Sequence, residues 1–315
     1  MKKTLVAVAA LAVAGGAFAQ STVSLTGKLA FAYESAKAQT SGAKTSGLRV
    51  TDGDFVLTAV EDLGGGLKAQ ASMAVQSRGR TTNVQGRDAT VALMGGFGRV
   101  TIGAVESGNG IIGLASAGAP TRGLDNGVTS AAAGNVDWLA YHTNSMGGFT
   151  ATVQYVDSIS AAGTGGSENT SPLQDAILVG AAYANGPIAA SADYTSYGQN
   201  GAALVATTTD NRIRMSGSYD LGVAKLGLGY ARQKDVLGVA TKDLMLGVSA
   251  PFGPVTVGLV YATRKVGAAA ANKGLDLGVD YALSKRTAVR AMYQTIDVNT
   301  PIDGSTFRVR LMHTF

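Results

Sequence analysis

The sequence predicts an all-β fold, a sixteen-stranded antiparallel transmembrane β-barrel, on three observations. First, residues 306–315 read T-F-R-V-R-L-M-H-T-F. Successive strand side chains point to opposite faces, so Phe307, Val309, Leu311 and Phe315 share an apolar face while Thr306, Arg308, Arg310 and Thr314 share a polar one. Second, the same alternation recurs in segments of about ten residues joined by very short, mostly glycine-containing turns. Third, past the N-terminal leader no apolar run reaches the roughly eighteen residues of a membrane helix. A soluble sandwich or secreted β-solenoid would need a second layer over the apolar faces, and the chain supplies none. In lipid, closure leaves no unpaired edge, the apolar face meets hydrocarbon and the polar face meets a wet lumen. His313 interrupts the apolar side beside an aromatic end, where a half-polar ring sits at headgroup depth.

Residues 1–19 hold Lys2 and Lys3, an apolar run over 5–14, and Ala17-Phe18-Ala19 where an A-x-A cleavage site belongs. That is the pattern of a cleaved secretory signal. Residues 20–315 then form a single domain, and losing both lysines takes the net charge from +5 to +3. This mild basicity, with no dense Lys/Arg run among aromatics, argues against a nucleic-acid partner. Cysteine is absent and the histidines are His142 and His313. Disulfides, thiolate metal sites and thiol nucleophiles are therefore excluded, and no cofactor or metal is expected. The 43 glycines suit tight turns and close strand approaches.

In chain order, residues 23–34 form the first strand, with Val23, Leu25, Leu29, Phe31 and Tyr33 opposite Ser24, Thr26, Lys28 and Glu34. Segments 55–60 and 67–76 flank 61–66, whose three glycines permit positive φ. Segments 89–93 and 99–105 flank Gly95-Gly96-Phe97-Gly98, and after a longer gap 139–143 and 149–157 surround 144–148. Four hairpins follow: 175–184 with 188–197, 212–219 with 225–232, 242–250 with 255–264, and 276–283 with 287–296. Residues 306–315 complete sixteen strands, an even number as in bacterial single-chain barrels. Long polar connections over 35–47, 158–174 and 199–210 alternate with the short turns, as outside loops alternate with periplasmic turns. Tyr183, Tyr194, Tyr219, Tyr230, Tyr261, Tyr281 and Tyr293 lie on apolar faces near strand ends, as an aromatic girdle requires.

The terminal Phe315, the turns E-D-L-G-G-G-L-K-A (61–69) and G-G-F-G (95–98), the stretch L-S-K-R-T-A (283–288) and the leader together resemble the general porins of β-proteobacterial outer membranes. The resemblance spans nearly all of residues 20–315. It implies a homotrimer in outer-membrane lipid that passes ions and small hydrophilic solutes passively, with Phe315 as the barrel-closure and assembly signal. It also implies a third outside loop, here about 106–137, folded into the lumen to narrow it. Such porins usually carry basic residues near the positions that here hold Asp54, Thr58 and Ala104, so the charge balance at the narrowing is this chain's own.

Gly108-Asn109-Gly110-Ile111-Ile112-Gly113 matches G-x-G-x-x-G, but no βαβ unit surrounds it and loop glycines explain it. Asp137, His142 and Ser145 lack the framework by which each member of a triad fixes the next, and they read as polar residues at a strand edge and turn. The candidate functional residues are charges whose parity places them in the lumen. These are Lys28, Arg99, Arg212, Arg214, Lys225, Arg264, Arg290, Arg308 and Arg310, against Glu34, Asp54, Asp193, Asp243, Asp276 and Asp280. Basic side chains around a narrow wet passage with low-dielectric walls favour anions, and arginine stays charged and binds carboxylate or phosphate bidentately. The expected function is a passive channel with mild anion preference, carried by Arg212, Arg214, Arg290, Arg308 and Arg310 and opposed by Glu106 and Asp125 on the inward loop. One competing reading is a barrel enzyme, which needs a catalytic group on lumen or rim. The other is a non-conducting structural or adhesin barrel, which about eight strands with a filled interior would favour. Of the aromatics a sugar channel would line its passage with, lumen parity offers mainly Trp138.

Overall fold

The structure, a computed structural model, describes residues 21–79, 84–106, 110–124, 128–129, 135–160, 175–198, 209–299 and 302–315. The leader expected over 1–19 lies outside them. Sixteen strands form one closed antiparallel barrel. They are β1 (Thr22–Lys37), β2 (Lys44–Gly64), β3 (Leu67–Gln76), β4 (Gln85–Gly95), β5 (Gly98–Glu106), β6 (Asn135–His142), β7 (Phe149–Ser160), β8 (Ala176–Asn185), β9 (Ile188–Tyr197), β10 (Thr209–Asp220), β11 (Lys225–Asp235), β12 (Ala240–Phe252), β13 (Val255–Val266), β14 (Asn272–Ala282), β15 (Thr287–Asp297) and β16 (Gly304–Thr314).

Each strand pairs with its chain neighbours, and β16 returns to β1 with Lys28 opposite Thr314 and Glu34 opposite Arg308. Past the last strand residue, the Gly27 N–H donates to Phe315 O at 2.9 Å and the Phe315 N–H to Gly27 O at 3.1 Å. The alternation read from the sequence decides inside from outside. On β1, Leu25 is 56% and Phe31 54% exposed, while Ala30 and Ala32 are 1% and 2% exposed. The apolar side chains therefore coat the barrel, and its buried side faces inward.

Two expectations need correction. The stretch 35–47 is not a long loop, because β1 and β2 continue as a paired hairpin joined only by 38–43. Along the same strand pair the register slips between Ala30 and Phe31, whose partners on β2 are Asp52 and Val50. The extra residue, Thr51, is a β-bulge, and it turns Arg49 to the inward face although simple alternation from Leu57 would send it outward. The tyrosines do not all lie near strand ends. Tyr183, Tyr219 and Tyr281 lie near short-turn strand ends, whereas Tyr194, Tyr230, Tyr261 and Tyr293 are five or six residues in from the short turn that opens their strands. The strands outrun the apolar belt, so its far edge falls mid-strand.

Gly27 carries the closure. A Cβ there would run into the Phe315 ring and come within 2.9 Å of Asp54 O. Gly27→Val should cost about 1–3 kcal/mol through overpacking. The expected outcome is loss of the compact, heat-modifiable band on unboiled gels at a lower temperature than for the unsubstituted chain.

Candidate functional site: a cationic inner wall and the loop packed on it

Between β5 and β6 the chain turns inward. Its described part contains one short helix, α1 (Ile112–Ala115), and runs along the inner face of β10–β15. Ile111, Ala115, Leu124 and Val128 are fully buried against Ala231, Met245, Val260 and Ala262, all at inward positions. Glycines make room for it. A Cβ at Gly227 would strike Leu114 O and Ala115 O, one at Gly247 would strike Ala115 O, and one at Gly278 would strike Pro120 O. These mid-strand glycines, read from composition as turn residues or strand approaches, serve the loop's approach to the wall.

Polar contacts fix its height. The Ser249 hydroxyl donates to Ala117 O at 2.6 Å. Asp276, fully buried, accepts at Oδ2 from the N–H groups of Arg122 and Gly123, both at 2.9 Å, and from Gln294 Nε2 at 3.0 Å. Gln294 Nε2 also donates to Gly123 O at 2.6 Å. The Arg122 guanidinium reaches across to Gln294 Oε1 at 3.0 Å and Thr306 Oγ1 at 3.3 Å, both neutral acceptors. Burial, with Arg308 nearby, pulls the Arg122 pKa below its ordinary value, and an arginine stays charged at neutral pH all the same.

The facing wall concentrates charge. Glu34 is shared by Arg49, at 2.8 Å, and Arg308, whose Nε donates at 2.6 Å. Asp52 is shared by Lys28 and by Arg310, at 2.9 Å. Elsewhere Arg214 pairs with Asp193 at 2.9 Å, Arg290 with Asp280 at 2.8 Å, and Arg264 with Asp243 at 3.8 Å. Arg212 lies over the Tyr197 ring, 5.7 Å from its centroid, a cation–π distance. Arg99 is inward at the short-turn end, donating to Thr101 Oγ1 at 3.0 Å, and Lys225 opens β11 on the inward side. Asp54 accepts from Gln76 Nε2 at 2.7 Å.

Glu106 belongs elsewhere than expected. It ends β5 and ion-pairs with Arg87 of β4, while its N–H donates to Asp88 Oδ1 at 2.9 Å. It is a rim residue, because β5 runs one residue further than its alternation suggests, and it does not oppose the wall cations. Asp125 lies outside the described residues. Ala104 points outward and is no substitute for a lumen base. Sequence reasoning missed Arg49, hidden by the bulge, Asp52, which shares the parity of Asp54 but precedes the segment read as a strand from residue 55, and Arg122, which sits on a loop where parity has no meaning. Trp138 does face inward, packed with Val136, Val156 and Ala176. His142 meets Thr152 Oγ1 at 2.8 Å, and Asp137 stands at the other end of β6 on the outward side, so no triad forms.

A family profile described as Gram-negative porin matches residues 5–301. The chain belongs to the Gram-negative porin family. Outer membrane porin protein 32 of Delftia acidovorans is 35% identical over 294 residues, covering 81% of this chain and 77% of that one. An outer membrane porin protein of Bordetella pertussis is 30% identical over 286 residues, covering 75% and 70%. Among solved structures, an anion-selective porin from Comamonas acidovorans matches with a TM-score of 0.74 and 25% identity over 94% of this chain and 100% of its own. The protein is thus an outer-membrane porin, a passive water-filled channel for ions and small hydrophilic solutes, and its family and structural neighbours are channels and not enzymes.

The tether can be cut without touching the barrel ladder. Asp276→Ala leaves the Arg122 and Gly123 N–H groups without their acceptor, each buried orphan costing about 1–3 kcal/mol, and takes from Gln294 Nε2 one of its two acceptors. Single-channel recording should then show a noisier open level with larger current excursions, whereas Asp54→Ala should leave the loop in place and the open level quiet.

Proposed function

We propose that this porin prefers small anions mildly, and that the preference resides where β1, β2 and β16 face Arg122. The observation behind it is the doubling of cations on single acids. Lys28, Arg49, Arg308 and Arg310 share two carboxylates, and Arg122 adds a fifth positive charge held by neutral groups. Two further acids stand nearby: Asp54, opposite Lys28 in the β1–β2 register, accepts from Gln76, and Asp276 is buried with three N–H donors on its Oδ2, so five cations face four acids. Arg214, Arg264 and Arg290 each have a carboxylate of their own, so of the nine cations expected in the lumen Lys28, Arg308 and Arg310 belong to the group that shares its acids. A wet passage flanked by low-dielectric walls focuses that excess and lowers the barrier for anions. The similar Comamonas porin is described as anion-selective, which agrees in sign.

Three further elements belong to the same reading. The connection expected over about 106–137 narrows the passage, as the burial of Ile111, Ala115, Leu124 and Val128 against the inner wall supports. Residues 1–19 are a cleaved signal, and the barrel works as a homotrimer without turnover chemistry. A flank of small outward side chains, Ala59, Ala71, Ala89 and Ala104, lets another barrel approach closely.

Reversal potential across a planar bilayer under a potassium chloride gradient tests the preference. Chloride should be favoured. Arg122→Gln should lower the chloride-to-potassium permeability ratio by roughly two- to fivefold, since a unit charge about 4 Å from an ion in water is worth about 1 kcal/mol. Cation selectivity in the unsubstituted porin would reject the assignment while leaving the channel intact.

A further inference from the structure

We propose that the inner wall of β5–β10, near the end bearing the longer connections, carries a subsite for aromatic monocarboxylates, with the ring of a benzoate-like anion against the wall and its carboxylate on Arg212. This names a substrate class for the anion preference proposed above and rests on it. Trp138 stands opposite Gly103 on β5 and Val156 on β7, Val156 opposite Ala176 on β8, and Ala176 opposite Tyr197 on β9. One inward row thus crosses five strands without a charged side chain. Val136, Val156 and Ala176 are its buried floor, with Trp138 and Tyr197 packed against them. Leu178 is the next inward residue of β8 after Ala176, and it is half-buried, as are Trp138 and Tyr197. The surface left to the lumen is therefore that of Trp138, Leu178 and Tyr197.

Arg212 on β10 stands at the end of this row, over the Tyr197 ring. Among the described residues it has no ion pair. Its Nε is buried without a hydrogen-bond partner, and so is Oγ1 of Thr195, which is 2% exposed and directly opposite Arg212 in the β9–β10 register. Buried polar groups are normally hydrogen-bonded, so two neighbouring orphans mark a place where a partner is missing. The acids of the same wall do not supply it. Both Asp193 oxygens accept from Arg214 Nε, at 2.9 and 3.0 Å, and Asp210 accepts from Asn211 Nδ2 at 2.7 Å. One uncompensated cation beside an apolar surface matches a ligand with one negative charge and a non-polar body.

The contrast with the rest of the open wall selects a ring. On β1–β3 the corresponding inward residues include Lys28, Asp54, Ser72 and Gln76, against which an apolar body gains nothing. Beside Trp138 and Tyr197 an aromatic ring loses water and gains offset or edge-to-face contacts. A planar guanidinium pairs with a carboxylate bidentately while stacked on an aromatic face, so Arg212 can take the carboxylate without leaving Tyr197. A neutral sugar would use the aromatic surface and leave that charge unmet. Tyr197 ends β9 and Ala176 begins β8, which puts the subsite at the mouth of the lumen, apart from the cations shared on Glu34 and Asp52.

The test records single-channel current in potassium chloride while benzoate, acetate or benzamide is added to both sides of the bilayer. Benzoate should halve the current at a concentration roughly three- to tenfold below that of acetate, which lacks the ring, and below that of benzamide, which lacks the charge. In the variant Trp138→Ala, Tyr197→Ala benzoate and acetate should block alike, a comparison made within one channel and so independent of its absolute conductance. Equal block by benzoate and acetate in the unsubstituted porin overturns the proposal. Block by benzamide as strong as by benzoate overturns it too, since no cation would then be involved, and so does an undiminished benzoate advantage in a conducting variant. Should the variant not fold, Trp138, the one tryptophan of the chain, decides: its emission should change saturably with benzoate and not with acetate, and an unchanged emission overturns the proposal. The reversal potential in potassium chloride reports the wall at β1, β2 and β16 separately, so a failure of the general anion preference is distinguished from a failure of this subsite.

Discussion

Everything in this molecule follows from one requirement: inside a bilayer no backbone N–H or C=O can be left without a partner. A sheet meets it only by closing, and here closure is the pairing of β16 with β1, continued past the strand ends by the reciprocal bonds between Gly27 and Phe315. Once the ends are joined, alternate side chains have no choice of environment. Leu25, Phe31, Phe307 and Leu311 go to hydrocarbon, while Lys28, Glu34, Arg308 and Arg310 go to the lumen.

That inversion explains where the apolar core lies. A lumen wide enough for water cannot be filled by wall side chains alone, so the cluster of buried apolar residues forms between the wall and Ile111, Ala115, Leu124 and Val128 laid on it. The wall yields space through glycines and holds the segment through the Asp276 carboxylate, whose three donors come from two chain regions. The same segment delivers Arg122 to a wall already carrying more cations than acids, so packing and electrostatics are coupled at one place.

Strand number, order and facing were legible because lipid makes alternation strict: β3 and β9 were bounded to the residue, and the inward parity of Arg212, Arg214, Arg264, Arg290, Arg308 and Arg310 follows from neighbours such as Met215 and Leu311. What escaped was whatever breaks the period or lies off the strands. The bulge at Thr51 hid Arg49, the loop hid Arg122, and the rim position of Glu106 depended on one residue of extra strand. Partner identity escaped too, since parity places a cation in the lumen without saying that Asp280 neutralises Arg290 while Asp52 is shared. The glycines gave no warning, because a glycine that admits a loop reads like one that admits a turn.

Because the chain has no cysteine, introduced thiols can report facing directly. Single substitutions Phe307→Cys, Arg308→Cys, Val309→Cys, Arg310→Cys and Leu311→Cys in porin reconstituted into vesicles, exposed to a charged membrane-impermeant thiol reagent, test which face is wet. Labelling confined to positions 308 and 310 is the predicted result. Uniform labelling along β16, or labelling at 307, 309 and 311 instead, would contradict a barrel that is greasy outside and water-filled within.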